Sequence, residues 1–150
     1  MKSKKSFFTY KLEEWARDIT ALASPLILLF VPFVFLQASP AFYRLLLALL
    51  VNEVIGSIIK ILFPKKRPNG QTYTTLLEKI DAGSFPSLHA SRITLVYLTL
   101  FSNTENNVLK TVFLGVILLV ILSRVKLKKH FWTDVLGGFI LGGLLWYLLI

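Results

Sequence analysis

The sequence predicts an all-α protein, an integral membrane bundle of about five transmembrane helices preceded by an amphipathic interfacial helix. Two observations indicate this class. Hydrophobic residues make up 55% of the 150 residues, and the mean hydropathy is +0.66, which is too apolar for an ordinary soluble domain. The net charge is nonetheless +9, and the basic residues cluster between the apolar runs, as they do in multi-pass membrane proteins.

Length and composition also limit the function classes. A chain of this size predicts one domain, divided into an interfacial segment at 1–18 and a transmembrane bundle at 19–150. Nucleic-acid binding is disfavoured because loops between membrane spans would have to present the positive charge. The chain has no cysteine, so disulfides and thiolate metal sites are excluded. The sequence does not predict an oligomeric state.

The amino-terminal half contains three predicted helices. Apolar residues recur at helical spacing over 6–18, with charged residues elsewhere around the wheel, which predicts a helix lying on the bilayer. The apolar run at 19–37 predicts a first span, in which Pro25 and Pro32 are expected to introduce bends. The run at 41–63 predicts a second span, long enough to cross about 30 Å of hydrocarbon.

Three further spans follow a polar loop at 64–85. A T-L-L-E sequence at 75–78 has the form of a capping box and predicts a short interfacial helix within that loop. Apolar runs predict the remaining spans at 86–101, 108–123 and 131–150. No repeat or long linker divides the chain, so we expect one bundle.

The strongest chemical signal lies in the basic hinge between the last two spans. His130 and Asp134 are four residues apart at the start of a helical run, so the carboxylate is expected within reach of the imidazole. A carboxylate there can orient the ring and make it a useful nucleophile. Arg124 lies across the hinge, and a guanidinium grips phosphate through paired hydrogen bonds. An isolated histidine at a membrane edge is more often an ordinary interfacial residue, so the remaining clusters decide the interpretation.

Two other polar clusters fall on the same side of the membrane when the crossings are counted. Lys60 closes the second span, and Arg67 follows it after six residues. Ser87 and His89 open the third span, where the free backbone amides of a helix amino end form an anion site. The clusters supply cations, a hydroxyl donor and two histidines. One histidine can attack a phosphoryl group while the other protonates the departing oxygen.

These three clusters resemble the signature of the type-2 phosphatidic acid phosphatase superfamily. That superfamily includes lipid phosphate phosphatases, polyprenyl diphosphate phosphatases and vanadium haloperoxidases. The matching blocks are K-x6-R-P at 60–68, P-S-x-H at 86–89 and S-R-x5-H-x3-D at 123–134. Order and internal spacings are kept over ten specified residues, so the resemblance is specific.

The resemblance implies a role for each matching residue. His130 is expected to form a phosphohistidine, with Asp134 as its partner and His89 as the general acid. The residues expected to hold the phosphate oxygens are Lys60, Arg67, Ser87 and Arg124. Ser123 and Pro68 are expected to support them. No metal and no other cofactor is expected.

The sequence departs from the family pattern in two ways. Leu88 stands where the second motif usually has glycine, which puts the shape of the pocket in doubt more than its activity. The larger membrane members have six helices, whereas five are predicted here. The missing helix would precede the first span, with the amphipathic segment in its place.

The expected activity is that of a metal-independent membrane lipid phosphatase. Its substrate would be a phospholipid or isoprenoid phosphate, either a monoester or a diphosphate, because the site opens at headgroup level between apolar walls. Two alternatives remain open. A lipid phosphotransferase would pass the phosphoryl group to an alcohol, and a non-enzymatic membrane scaffold would carry the motifs without using them.

The charge distribution predicts which face carries the site. Apart from the candidate site residues, the basic residues on that face are Lys2, Lys4, Lys5, Lys11, Arg17, Lys65, Lys66, Lys79, Lys126, Lys128 and Lys129. The opposite face has Arg44 and Lys110. Because cytoplasmic loops are enriched in lysine and arginine, this face is expected to be cytoplasmic.

Two charges inside apolar spans require an explanation. Glu53 lies seven residues before Lys60, about 10 Å deeper in the second span, and Arg92 lies at a similar depth in the third. We expect Glu53 and Arg92 to pair beneath the phosphate pocket, with Asn52 assisting. The alternative is that each charge reaches water separately.

Overall fold

The computed structural model describes residues 24–68 and 83–150, together with Leu12, Trp15, Ala16 and Ile19. In this part of the chain every regular element is helical. The five helices are α1 (Pro25–Leu36), α2 (Pro40–Leu62), α3 (Leu88–Ser102), α4 (Asn107–Lys126) and α5 (Trp132–Leu149). The all-α prediction is confirmed.

Two predicted helices fall wholly or mostly outside the described residues. Of the interfacial segment at 1–18, the described residues are Leu12, Trp15 and Ala16, and each of them is helical. The short helix predicted at 75–78 lies entirely outside. These two predictions therefore stay predictions.

Polar caps set the starts of three helices. Ser39 Oγ accepts a hydrogen bond from Phe42 N at 3.4 Å at the start of α2, and Asn106 Oδ1 accepts two from the first turn of α4. Ser87 caps α3 in the same way, with its hydroxyl 3.5 Å from Ala90 N. Because the cap itself is not helical, α3 begins at residue 88, two residues after the predicted start.

The hinge before α5 is shorter than the sequence indicated. The predicted span ended at Ser123, but α4 continues to Lys126, because nothing in the basic residues that follow interrupts a helix. The helix ends where Leu127 N donates to the Ser123 carbonyl at 2.9 Å. Lys128 then turns the chain with a φ of 54°. Arg124 therefore lies on the last turn of a helix rather than in a loop.

Helix α3 is the central element of the bundle. It packs against each of the other four helices, most extensively against α5. Two of its buried hydroxyls donate within the helix: Thr94 Oγ1 to the Ala90 carbonyl at 2.7 Å, and Thr99 Oγ1 to the Leu95 carbonyl at 2.8 Å. The outward faces of α2, α4 and α5 are instead covered by exposed leucine, isoleucine and phenylalanine, as suits helices surrounded by lipid.

Two glycines allow α3 and α5 to approach closely. A Cβ atom on Gly138 would overlap the carbonyl oxygen of Ser87, and one on Gly142 would lie 2.5 Å from the carbonyl oxygen of Ser91. A side chain at either position would push the helices apart. This pair of glycines brings the start of α3 against the start of α5.

Among the described residues, three helices are long and apolar enough to cross a membrane: α2 with 23 residues, α4 with 20 and α5 with 18. The protein is therefore an integral membrane protein. Helices α1 and α3 are shorter, at 12 and 15 residues. The crossing of all five helices remains a prediction.

A reporter fused after Ile150 tests the number of crossings. With five crossings, it should appear on the face opposite the polar loop at 64–85, because three spans separate that loop from the carboxyl end. The matched control is the same reporter inserted at 103–106, which should label the same face as the carboxyl end. A carboxyl end on the side of the 64–85 loop would show that one helix does not cross.

Candidate active site

A cavity of about 300 Å³ lies at one end of the bundle, where the three sequence clusters meet. Its walls come from the end of α2, the loop that follows, the start of α3, the end of α4 and the hinge before α5. The lining residues are Lys60, Arg67, Leu88, His89, Arg92, Arg124, Lys129 and His130. Five of these are cations, so the cavity is suited to an anion with several oxygen atoms.

The imidazole of His130 is fixed by the backbone. Its Nδ1 atom lies 2.8 Å from the carbonyl oxygen of Ser84. A carbonyl only accepts hydrogen bonds, so Nδ1 must carry the proton and Nε2 must carry the lone pair. The ring is 3% exposed and lines the cavity, so Nε2 is the ring nitrogen available to a bound group.

The surroundings of His130 keep the imidazole neutral. Burial lowers its pKa most, and the positive charge of Arg124 lowers it further, to about 3. The hydrogen bond to the Ser84 carbonyl opposes this effect without reversing it. At neutral pH the ring therefore has an unprotonated Nε2, which a nucleophile requires.

Asp134 lies close to His130 but does not hydrogen-bond to it. Its Oδ2 atom is 3.9 Å from His130 Nδ1. The four-residue spacing does not place the two residues on one helical face, because α5 begins at residue 132, after His130. The fully buried carboxylate instead accepts from the Ser84 hydroxyl, from Lys65 Nζ at 2.5 Å and from Phe131 N at 2.8 Å.

Ser84 therefore connects Asp134 to His130. Its hydroxyl donates to the carboxylate, and its carbonyl accepts from the imidazole. The negative charge of Asp134 lies 3.9 Å from the ring. Asp134 also fixes the position of Ser84, and Ser84 in turn fixes the orientation of the ring. Asp134 thus helps to orient His130 through Ser84.

The start of α3 is anchored beside the cavity. Ser87 is completely buried, its N–H donates to the Asp134 carbonyl at 2.9 Å, and its hydroxyl caps the helix. The first amides of a helix have no partner within it, so those of Leu88 and His89 form the anion-binding end of α3. The side chains of Ser87, Pro68 and Ser123 lie outside the cavity lining, and Ser123 Oγ donates to the Val120 carbonyl at 2.7 Å.

The structure brings Glu53 and Arg92 together. Arg92 Nε lies 2.5 Å from Glu53 Oε1, and Nη2 lies 2.5 Å from Oε2. Asn52 Nδ2 donates to Glu53 at 3.3 Å, and Asn52 Oδ1 accepts from the Ser91 hydroxyl. This network joins α2 to α3. Arg92 also lines the cavity, a position that the sequence motifs did not indicate.

Three more residues at the site escaped the sequence motifs. Lys65 and Lys129 were counted with the loop charge, yet Lys65 binds Asp134 and Lys129 lines the cavity. The sequence did not indicate Ser84, because its contact with His130 is made by a backbone carbonyl, which every residue has. The only indication in the sequence was the number of lysines near the motifs, some of which could be expected to contact the site.

The chain belongs to the PAP2 superfamily, whose sequence model matches residues 41–150. The resemblance drawn from the three motifs is thereby confirmed. The structure is also similar to the crystal structure of the transmembrane PAP2-type phosphatidylglycerolphosphate phosphatase from Bacillus subtilis. The two share 22% sequence identity with a TM-score of 0.68, over 98% of this chain and 77% of the other. This neighbour supports the fold.

Double substitution tests the Glu53–Arg92 pair. Glu53→Gln and Arg92→Met should each lower the free energy of unfolding by about 1 to 3 kcal/mol, less than for a fully buried pair, because Glu53 is partly exposed. Each single change leaves the other charge without its partner. The double variant should therefore recover part of the loss.

Thermal unfolding in detergent measures these effects. The control is Arg44→Met, which removes an exposed cation from α2 and should change stability little. Strictly additive losses in the double variant would show that the two charges do not stabilise each other.

Proposed function

We propose that the protein is a membrane lipid phosphatase that hydrolyses a phosphate monoester or diphosphate of a lipid through a phosphohistidine. The observation that carries this proposal is the fixed tautomer of His130, which offers Nε2 to a cavity lined by five cations. Membership of the PAP2 superfamily supports it. So does the similar fold of a protein described as a phosphatidylglycerolphosphate phosphatase.

In the first step, His130 Nε2 attacks the phosphorus of the bound substrate. An N–P bond forms, and the P–O bond to the lipid alcohol or to the remaining phosphate breaks. His89, which is protonated when the negatively charged phosphate is bound beside it, transfers its proton to the departing oxygen. Lys60, Arg67 and Arg124 hold the oxygens whose charge develops in the transition state. Side-chain cations thus supply the charge stabilisation that a metal supplies in other phosphoryl-transfer enzymes.

In the second step, water attacks the phosphohistidine. The N–P bond breaks, His89 accepts the proton from the water, and inorganic phosphate leaves. His130 returns to its neutral state, which burial and the charge of Arg124 favour. Asp134 and Ser84 keep the imidazole in the same orientation throughout both steps.

The substrate enters from the lipid phase at the face that carries the basic loops. We propose that this face is cytoplasmic, because the sequence assigns eleven basic residues to it and two to the opposite face. The reporter fused after Ile150 then belongs outside the cytoplasm. Phosphates of diacylglycerol, of isoprenoid alcohols and of phosphatidylglycerol are all substrates that suit a site with apolar walls.

Substitution of the two histidines tests the mechanism. His130→Ala should abolish phosphate release, because it removes the imidazole that forms the covalent bond. His89→Ala should slow turnover of every substrate, because water then attacks the phosphohistidine without a base. The loss should be smaller for substrates with a good leaving group, because their departure needs no proton from the enzyme. The measurement is phosphate release by purified protein from phosphatidic acid, phosphatidylglycerol phosphate, farnesyl diphosphate and p-nitrophenyl phosphate.

The outcomes of this assay separate the candidate functions. Near wild-type release by His130→Ala would exclude this residue as the nucleophile. Phosphoryl transfer to added glycerol, in place of phosphate release, would identify a phosphotransferase. Absence of both activities from wild-type protein, on every substrate, would leave the non-enzymatic scaffold.

Chelation tests the role assigned to the side-chain cations. Phosphate release should be unchanged in excess EDTA, because Lys60, Arg67 and Arg124 neutralise the substrate charge. Arg124→Ala should lower kcat much more than chelation does. Loss of activity in EDTA that Mg²⁺ or Mn²⁺ restores would contradict the mechanism.

A further inference from the structure

Lys65 and Lys66 are neighbours in the loop after α2, yet their side chains have different surroundings. Lys65 Nζ lies 2.5 Å from Asp134 Oδ1 and donates to Thr133 Oγ1 at 2.8 Å. It also lies 4.7 Å from the centre of the Phe131 ring, within the range of a cation–π interaction. The side chain of Lys66 is exposed. The ammonium of Lys65 is therefore held at the start of α5.

The backbone of Lys65 makes a second connection to the site. Its carbonyl oxygen accepts a hydrogen bond from Ser84 N at 2.8 Å. The Ser84 hydroxyl donates to Asp134 Oδ2, and the Ser84 carbonyl accepts from His130 Nδ1. Lys65, Ser84 and Asp134 thus form a closed ring of three contacts. Ser84 and Asp134 are the residues that position His130, and Lys65 binds both of them.

The contacts of Lys65 distinguish it from the cations that face the cavity. Among the described residues, the cavity lining does not include Lys65. Two oxygen acceptors and an aromatic ring already surround its ammonium, so a phosphate would have to displace them. The charge of Lys65 therefore acts on Asp134. A cation that only attracted anionic lipid would be interchangeable with Lys66.

The charge of Lys65 reaches His130 through Asp134. A carboxylate oxygen 3.9 Å from Nδ1 favours the protonated imidazole, which has no lone pair at Nε2. Lys65 offsets this effect because its positive charge lies against the same carboxylate. The other titratable or charged groups around His130 come from the end of α2 and its loop, from α3, from α4 and from the hinge. They are Lys60, Arg67, His89, Arg92, Arg124 and Lys129.

We propose that Lys65 is a positioning residue for the reaction at His130. Its carbonyl fixes Ser84 and its ammonium neutralises Asp134, so the imidazole keeps both its orientation and its free lone pair. This inference rests on the proposed function, in which His130 Nε2 attacks phosphorus. It adds a residue at one of the unspecified positions of the first motif, and this residue acts without touching the substrate.

Substitution of the two neighbouring lysines tests the inference. Lys65→Met should lower kcat by about tenfold or more and change KM little, because the imidazole loses support while the cavity keeps its cations. Lys65→Arg should retain most of the wild-type kcat, since a guanidinium also binds a carboxylate. Lys66→Met, the matched control, should resemble wild type. Phosphate release from phosphatidic acid is measured for each variant.

The pH dependence separates this role from a loss of folding. In Lys65→Met the uncompensated charge of Asp134 should raise the pKa of His130 by about 1 to 3 pH units from its value of about 3. The acid limb of kcat/KM, where the free enzyme takes up this proton, should therefore move to higher pH. An unshifted acid limb in Lys65→Met, or an equal loss of kcat in Lys66→Met, would overturn the inference.

A double variant avoids leaving a buried charge unpaired. Lys65→Met combined with Asp134→Asn removes both charges, which costs less stability than removing one. If Lys65 acts through Asp134, Lys65→Met should lower kcat much less in the Asp134→Asn background than in wild type. Equal fold losses in the two backgrounds would show that Lys65 acts elsewhere and would overturn the inference.

A spectroscopic measurement keeps the inference independent of turnover. The chain has two histidines, so NMR of protein labelled with 15N-histidine in detergent resolves both, and His89→Ala assigns them. His130 should carry its proton on Nδ1 in wild type and should become doubly protonated at a higher pH in Lys65→Met. Identical His130 titrations in the two proteins would overturn the inference. A shifted titration without phosphate release by wild-type protein from any substrate would contradict the proposed function alone.

Discussion

The buried carboxylate of Asp134 is the interaction on which the site depends. It is completely shielded from solvent, and a buried charge is tolerated only when charge and hydrogen bonds compensate it. Lys65, Ser84 and the Phe131 amide supply that compensation. They come from the loop after α2, the segment before α3 and the start of α5. One charge therefore holds three separate parts of the chain in a fixed arrangement.

This arrangement determines the state of the candidate nucleophile. Because Ser84 is bound to Asp134, its carbonyl oxygen is held where His130 Nδ1 must donate to it. The lone pair is thereby assigned to Nε2 at the cavity. The Asp134 carbonyl also accepts from Ser87 N, which fixes the amino end of α3 relative to the same imidazole. Asp134 thus determines the tautomer and the orientation of the imidazole, and it also fixes the position of the anion-binding end of α3.

The long elements were predictable and the contacts between loops were not. Apolar runs marked α2, α4 and α5 to within a few residues, because lipid imposes both length and composition on a span. The start of α3 was wrong by two residues because Ser87 acts as a cap. Ser84 was missed because any residue offers a backbone carbonyl. Lys65 could not be distinguished from Lys66, since the direction of a loop side chain depends on tertiary packing.

The cavity is lined by cations, and the carboxylates that hold its surroundings in place lie behind this lining. Five cations line it, and the described lining residues include no carboxylate. The two carboxylates nearest to it stand behind that lining, Asp134 beneath His130 and Glu53 behind Arg92. Placed there, they restrain neighbouring cations and moderate their mutual repulsion without occupying the space for phosphate. The Glu53–Arg92 ion pair therefore joins α2 to α3 and also holds one of the cations that line the cavity.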